Sequence, residues 1–302
     1  IYLTRTQDRV KGGPKVFSSP DSLRRQVKRI KPDRIVCVQP EEAPHLAECG
    51  APLCVDFYAP RLLEAAFENT AEEAAVHTIR ALNASDHQLF SNARQKWFYL
   101  SLMTLSGIDV TQGTGSVVEL AAPLGPPRTI PKEPTLVLGG VSWPWQDLSE
   151  CVRQTVAYLE KRNAGKLIVY GGTPPIGETP VRPLKDQFPS SKRLVFHKAI
   201  PWPDLLKAYS EATAALDVMA PNAERELALS FRHVDYLGCG LPIITGGSHV
   251  LAPALQETGA GWVTEIDSLS EALDAIFDDP KWVQKASEQA KSLAQTRFSR
   301  ST

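Results

Sequence analysis

The sequence predicts an α/β protein built from two doubly wound, Rossmann-like domains with parallel sheets. Three observations carry the prediction. Over residues 135–299 short apolar segments alternate with helical ones, the order that parallel strands joined by crossover helices require. The chain has 302 residues, enough for two hydrophobic cores. Residues 123–134 hold five prolines and few apolar anchors, the composition of a semi-rigid extended linker. The expected division is a first domain over 1–122, the linker, and a second domain over 135–302.

Composition narrows the function classes. With 43% hydrophobic and 22% charged residues the chain reads as an ordinary soluble globular protein. A net charge of −1 supplies no overall basic field, so no nucleic-acid partner is expected. The five cysteines (Cys37, Cys49, Cys54, Cys151 and Cys239) are odd in number and contain no CxxC, which suits reduced thiols and a cytoplasmic location. His45, Cys49 and Cys54 lack a matching fourth ligand, so no metal site is expected. No apolar run reaches the roughly 18 residues of a membrane span.

In the first half, residues 1–4 and 15–18 read as short strands around a polar loop with Gly12, Gly13 and Pro14. A helix over 22–30, capped by Pro20 and Asp21, leads to a buried strand over 33–39. Arg24, Arg25, Lys28, Arg29, Lys31 and Arg34 form a basic cluster, either a solvated helix face or a peripheral contact with an anionic membrane surface. The strand over 52–58 carries Asp56 near its carboxyl end. That residue is either an acceptor-side base or sugar ligand, or an Asx cap on the helix over 60–68. A helix over 71–82, a strand over 87–90, a helix over 91–106 whose Trp97, Phe98 and Tyr99 read as core, and a strand over 116–120 complete this half.

In the second half, strands over 135–138, 166–170, 193–197, 214–219, 241–245 and 262–265 alternate with helices over 148–161, 203–212, 231–237, 250–258, 269–277 and 281–295. Parallel strand ends point one way. Gly139-Gly140, Gly171-Gly172, His197-Lys198 and an open loop over 223–230 are therefore expected to converge on one crevice. At Gly139 and Gly140 the absence of side chains would let a diphosphate or sugar approach the backbone. Ser230 stands at the N-cap position before Phe231, where free N–H groups and the helix dipole favour an anion. Arg225, Ser230 and Arg232 surround that position, and Asp235 lies one turn inside the helix, within reach of ribose hydroxyls. In the competing reading Glu224, Arg225 and Glu226 form a solvated loop and Arg232 pairs with Asp235 across one turn.

The run Asp235, Tyr236, Leu237, Gly238, Cys239, Gly240, Leu241, Pro242, Ile243, Ile244 resembles the nucleotide-sugar signature of the GT-B glycosyltransferases, especially the retaining family numbered 4 (group 1). That family's helix carries a Glu followed by Ala, a small or apolar pair, Cys or Gly, then Gly-Leu-Pro and a strand. The head of the motif departs. The family has a second Glu eight positions earlier, followed by Gly-Phe-Gly, whereas here Leu227 falls at that position and Ala228 and Ser230 replace the glycines. Glu226 and Glu224 lie just upstream and are the candidates for the missing carboxylate. The family also places an Arg and a Lys after the glycine pair; here Val141, Ser142, Trp143, Pro144, Trp145, Gln146 and Asp147 follow, so Arg225, Arg232 or Lys198 would take the diphosphate. Trp145 either stacks on a sugar or base or braces the domains. The segment 196–202 corresponds to where the family's backbone reads the nucleobase. The family's first domain opens with a strand and a glycine-bearing loop that nothing before Ile1 supplies, so a truncated or disordered amino terminus is expected.

The resemblance implies a GT-B fold, with an acceptor-side domain and a donor-binding domain facing across a cleft. It implies a nucleotide-sugar-dependent, hexosyltransferase-like enzyme of glycan biosynthesis that moves a sugar from a nucleoside diphosphate such as UDP to an acceptor hydroxyl. Retention of configuration and chemistry without a cofactor or metal follow from the same resemblance. Asp56 and Glu226 are then the catalytic candidates. The donor-binding candidates are Gly139, Gly140, Trp145, His197, Lys198, Arg225, Ser230, Phe231, Arg232 and Asp235. The expected partners are the nucleoside-diphosphate sugar and a glycan, lipid-linked or small-molecule acceptor. A UDP-sugar epimerase of the same architecture and a non-catalytic nucleotide- or glycan-binding protein are the alternatives.

Overall fold

A computed structural model describes residues 3–4, 15–113, 115–141, 143–171 and 183–299. The Gly12-Gly13-Pro14 loop, Ser142 and Gly172 lie outside the described residues. The chain forms two compact units, residues 1–118 and 119–302.

In the first unit β1 (Leu3–Thr4) and β2 (Lys15–Val16) pair in parallel. The main sheet is built from β3 (Ile35–Cys37), β4 (Leu53–Phe57), β5 (His87–Phe90) and β6 (Ser116–Val117), all parallel and in chain order. α1 (Pro20–Ile30) leads into β3, and α2 (Ala43–Ala47), α3 (Arg61–Phe67), α4 (Ala71–Ala84) and α5 (Ala93–Leu105) run between the strands. Right-handed crossovers that step in one direction place their helices on one face. Leu23 and Val27 of α1, Ala81 and Leu82 of α4, and Tyr99 and Met103 of α5 accordingly share one core with Leu53, Val55, Phe57 and Phe90. On the opposite face Val36 is 66% exposed.

Side-chain caps set the helix starts in this unit. Ser19 Oγ accepts from the Ser22 N–H at 3.2 Å, one residue ahead of the Pro20-Asp21 cap read from sequence. Asn92 Oδ1 accepts from the Gln95 N–H at 2.9 Å and starts α5 at Ala93. Of the three aromatics expected in the core, Trp97 is instead 72% exposed, while the Tyr99 hydroxyl is buried and donates to the Ala59 carbonyl at 2.8 Å. The structure places Arg25, Lys28 and Arg29 on the solvated side of α1.

The second unit carries a six-stranded parallel sheet. Its strands are β7 (Thr135–Gly139), β8 (Lys166–Tyr170), β9 (Leu194–His197), β10 (Ala214–Asp217), β11 (Ile243–Thr245) and β12 (Gly261–Val263), in the order β12-β11-β10-β7-β8-β9. The helices are α6 (Ser149–Arg162), α7 (Leu184–Gln187), α8 (Trp202–Ser210), α9 (Ala223–Leu227), α10 (Phe231–Gly238), α11 (Ala252–Thr258), α12 (Leu269–Asp278) and α13 (Pro280–Arg297). The chain starts in the middle at β7, runs outward through β8 and β9, then crosses back to β10 on the other side. Helices consequently cover both faces with separate cores, one around Tyr209, Tyr236 and Leu237 and one around Leu136, Val152 and Leu216. All five residues of β7 are buried, in keeping with the apolar run that follows Thr135. The order reverses between β7 and β10, and that switch point opens the crevice in which such sheets hold ligands.

Residues 119–134 pack along this second unit. The Ala122 N–H donates to the Phe298 carbonyl at 2.8 Å and the Gly125 N–H to the Gly238 carbonyl at 3.2 Å. Arg128 donates to the carbonyls of Tyr209 (3.3 Å) and Thr213 (2.8 Å), and its burial lowers its pKa to about 10.

Candidate functional site

The site grows from the carboxyl ends of β7 and β10. Gly140 follows β7 with φ at 101°, a backbone conformation that glycine adopts and L side chains rarely do. A Cβ there would stand 3.4 Å from the Arg232 guanidinium carbon. Gly139 owes its identity to packing rather than to an approaching ligand: a Cβ would run into the Tyr209 hydroxyl, and its N–H donates to the Tyr236 hydroxyl at 2.9 Å.

Arg232, on the first turn of α10, spans the switch point. Its Nη2 donates to the Val141 carbonyl at 3.2 Å and to Gln146 Oε1, and its Nη1 lies 3.4 Å from Asp217 Oδ1. Asp217 ends β10, and its other oxygen is held by His233 Nε2. Burial by itself would raise the Asp217 pKa; the Arg232 guanidinium and His233 outweigh it and hold the carboxyl well below the usual carboxylate range. The one-turn pairing of Arg232 with Asp235 is not formed. Asp235 Oδ2 instead accepts from the Trp202 indole N–H at 3.1 Å, and burial raises the Asp235 carboxyl.

The open loop expected over 223–230 is corrected by α9, a five-residue helix capped by Asn222 Oδ1, which accepts from the Arg225 N–H at 3.0 Å. Glu224 and Arg225 are not solvated: they are 1% and 5% exposed and share a fork-like ion pair with Nη2 2.7 Å from Oε1. Arg225 Nη1 is buried with no hydrogen-bond partner among the described residues. Glu226 is exposed. An open pocket lies at the ends of β10 and β11, lined by Asp217, Met219, Arg225, Thr245, Gly246, Ser248 and His249. His249 accepts the Leu251 N–H on Nδ1 at 3.1 Å, and its ring centroid is 4.1 Å from that of His233.

The remaining candidates divide. Ser230 occupies the N-cap position of α10 without a side-chain cap bond, and Phe231 is 59% exposed. Trp145 is 4% exposed, stacks on Trp143 with ring planes 8° apart, and accepts from Asn222 Nδ2 on its carbonyl at 3.0 Å, so it is packing and not a ligand platform. His197 ends β9, is exposed, and stacks on Tyr170 at 5.0 Å; Lys198 beside it is exposed too. Asp56 belongs to the first unit, as the second-last residue of β4, with its carboxyl raised by burial. The Asx cap is not realised, because α3 starts behind Pro60 without a side-chain cap bond.

Sequence reasoning did not single out Asp217, His233 or His249. Asp217 is the one polar residue among buried neighbours on β10, and a charge inside an apolar strand is the signal that would have found it. Among the described residues no three His, Cys, Asp or Glu side chains group as metal ligands, and no helix is long and apolar enough to cross a membrane.

No family model and no curated protein matches the sequence. Solved structures do match in three dimensions. A sucrose-phosphate synthase from Thermosynechococcus elongatus superposes with a TM-score of 0.67 at 15% identity, over 96% of this chain and 78% of that one. TarM does so with a TM-score of 0.70 at 12% identity, over 93% and 55%. HepE from Anabaena, in complex with UDP-glucose, gives 0.66 at 15% identity, over 92% and 78%. The chain thus spans just over half of TarM's length and about four fifths of the other two. These neighbours are GT-B glycosyltransferases, and the two α/β units with parallel sheets have the GT-B fold.

Proposed function

We propose that this chain is a glycosyltransferase that moves a sugar from a nucleoside-diphosphate sugar to an acceptor hydroxyl, with the donor held by the second unit. The observation that carries the reading is the switch point itself: a glycine with φ at 101° closes β7, and the Arg232 guanidinium reaches from α10 to the residues that follow it. Backbone approach, a fixed guanidinium and a helix N-terminus are what a leaving diphosphate needs, because each stabilises charge that develops as the glycosidic bond breaks. Within this reading Arg225 offers Nη1 to a donor oxygen from the pocket wall, Asp235 holds the ribose, and the exposed His197 and Lys198 flank the base and phosphates. Retention of configuration and chemistry without a divalent ion are part of the proposal. So are a glycan, lipid-linked or small-molecule acceptor, Asp56 as an acceptor-side group, and cytoplasmic placement with at most peripheral membrane contact through the basic face of α1. The structural neighbour in complex with UDP-glucose, and another in complex with UDP and GlcNAc, support the donor class.

One observation favours a second reading. Arg232 and Arg225 are each paired with a buried carboxylate, which leaves less free positive charge for a diphosphate than an unpaired guanidinium would. A protein that binds nucleotide or glycan without turnover fits that balance. Release of nucleoside diphosphate from UDP-glucose, UDP-GlcNAc and GDP-mannose, followed with and without a mixture of glycan acceptors, separates the two. Turnover of any donor supports the transferase, and binding without turnover of any of them supports the second reading.

A further inference from the structure

Trp202 opens α8 directly after Pro201 and keeps half of its surface exposed. An indole N–H only donates, so a partly buried Trp at a ligand crevice is fixed by whichever acceptor it meets. That acceptor is Asp235 Oδ2, at 3.1 Å on the neighbouring helix α10. Among the described residues the Asp235 carboxylate makes this one hydrogen bond, on Oδ2. A half-buried carboxylate held through one oxygen leaves the other open to a further donor.

We infer that Trp202 is a positioning residue of the donor site, holding Asp235 so that its second oxygen accepts one ribose hydroxyl of the nucleotide. The inference rests on the donor-site reading above. It goes beyond that reading in a specific way: with the indole holding Oδ2, the ribose contact falls to Oδ1, and one hydroxyl of the ribose rather than both carries it. Burial raises the Asp235 carboxyl, and the indole N–H opposes that rise.

Calorimetric titration of the full chain with UDP, GDP and ADP, and with the 2′-deoxy and 3′-deoxy forms of whichever binds, tests this. The wild-type protein is expected to bind one deoxy form about tenfold more weakly than the ribonucleotide and the other nearly equally, the worth of one hydrogen bond to a charged acceptor. Trp202→Phe keeps the ring and removes the donor; it should bring that ratio to within about twofold while leaving affinity for the deoxy form unchanged. Asp235→Asn, nearly isosteric, should erase the ratio as well. A Trp202→Phe variant that retains the tenfold ratio, or that weakens ribo and deoxy forms equally because the ring itself stacks on the base, overturns the inference. Failure of the folded wild-type protein to bind any of the three nucleotides overturns the donor-site reading and the inference with it.

Discussion

Arg232 Nη1 stands 3.4 Å from Asp217 Oδ1, between the first turn of α10 and the end of β10, with both side chains less than a tenth exposed. This pair fixes the guanidinium at the sheet's switch point and balances its charge there. Removing one partner leaves the other buried and uncompensated. Arg232→Ala is therefore expected to cost about 3 kcal/mol of stability in denaturant unfolding, in addition to weakening donor binding. Arg232→Lys, which keeps the charge but loses the fork to Gln146 and Val141, should recover part of the stability and little of the binding. Unchanged unfolding for Arg232→Ala would show that the pair is not structural.

The same pair predicts an acid-sensitive fold. The Asp217 carboxyl is held below its unfolded value, so on acidification the unfolded chain takes up its proton first. Its contribution is complete above about pH 4, the ordinary carboxylate value, and is lost as pH falls from there through the folded value. Thermal midpoints between pH 3 and pH 8 should fall more steeply below pH 4 for wild type than for Asp217→Asn, and parallel curves would contradict this.

Gly139→Ala tests the packing role of the first glycine. The added methyl meets the Tyr209 hydroxyl, and Tyr209 is 1% exposed with its ring 4.7 Å from that of Tyr236, so the ring has little room to retreat. A loss of about 2 kcal/mol is expected in unfolding measurements. Wild-type stability would mean that the tyrosine moves at little cost.

Thiol labelling checks the buried sites from another side. Burial pushes the Cys37 thiol up to about 11 and those of Cys151 and Cys239 up to about 12. Native protein titrated with a thiol reagent at pH 8 should label Cys49 and Cys54, both partly exposed, and spare the other three until it is unfolded. Fast labelling of Cys239 would place the carboxyl end of α10 in solvent.

Much of this was legible in the sequence, for identifiable reasons. β7 and β10 are covered on both faces and read as apolar runs apart from Thr135 and Asp217, and the glycines near the end of α10 mark its stop. Period and punctuation therefore gave the second unit's strand order of appearance. The sheet order, and with it the switch point, is a long-range pairing that no local pattern carries. Side-chain partners were harder still. Arg232 has Asp235 three residues away as a ready helical partner, yet Trp202 claims Asp235 and Asp217 claims Arg232 from distant parts of the chain. The stretch 223–230 is polar enough to suggest a solvated loop, but the Asn222 cap nucleates a short helix and Glu224 neutralises Arg225 inside the fold. Trp145 looked available for stacking because the sequence cannot show that Trp143 stacks on it.

The central claim is that the second unit binds a nucleoside diphosphate at the β7–β10 switch point. A thermal-shift series with UDP, GDP, ADP, TDP and CMP on wild type and Arg232→Lys tests it most directly. A ligand at about 100 times its dissociation constant adds roughly 2.7 kcal/mol, several degrees in a protein of this size. The account predicts one nucleoside diphosphate that raises the wild-type midpoint by that amount and the variant's by much less. An equal rise in both would move the binding site away from the switch point, and no rise with any nucleotide in folded wild-type protein would contradict the account.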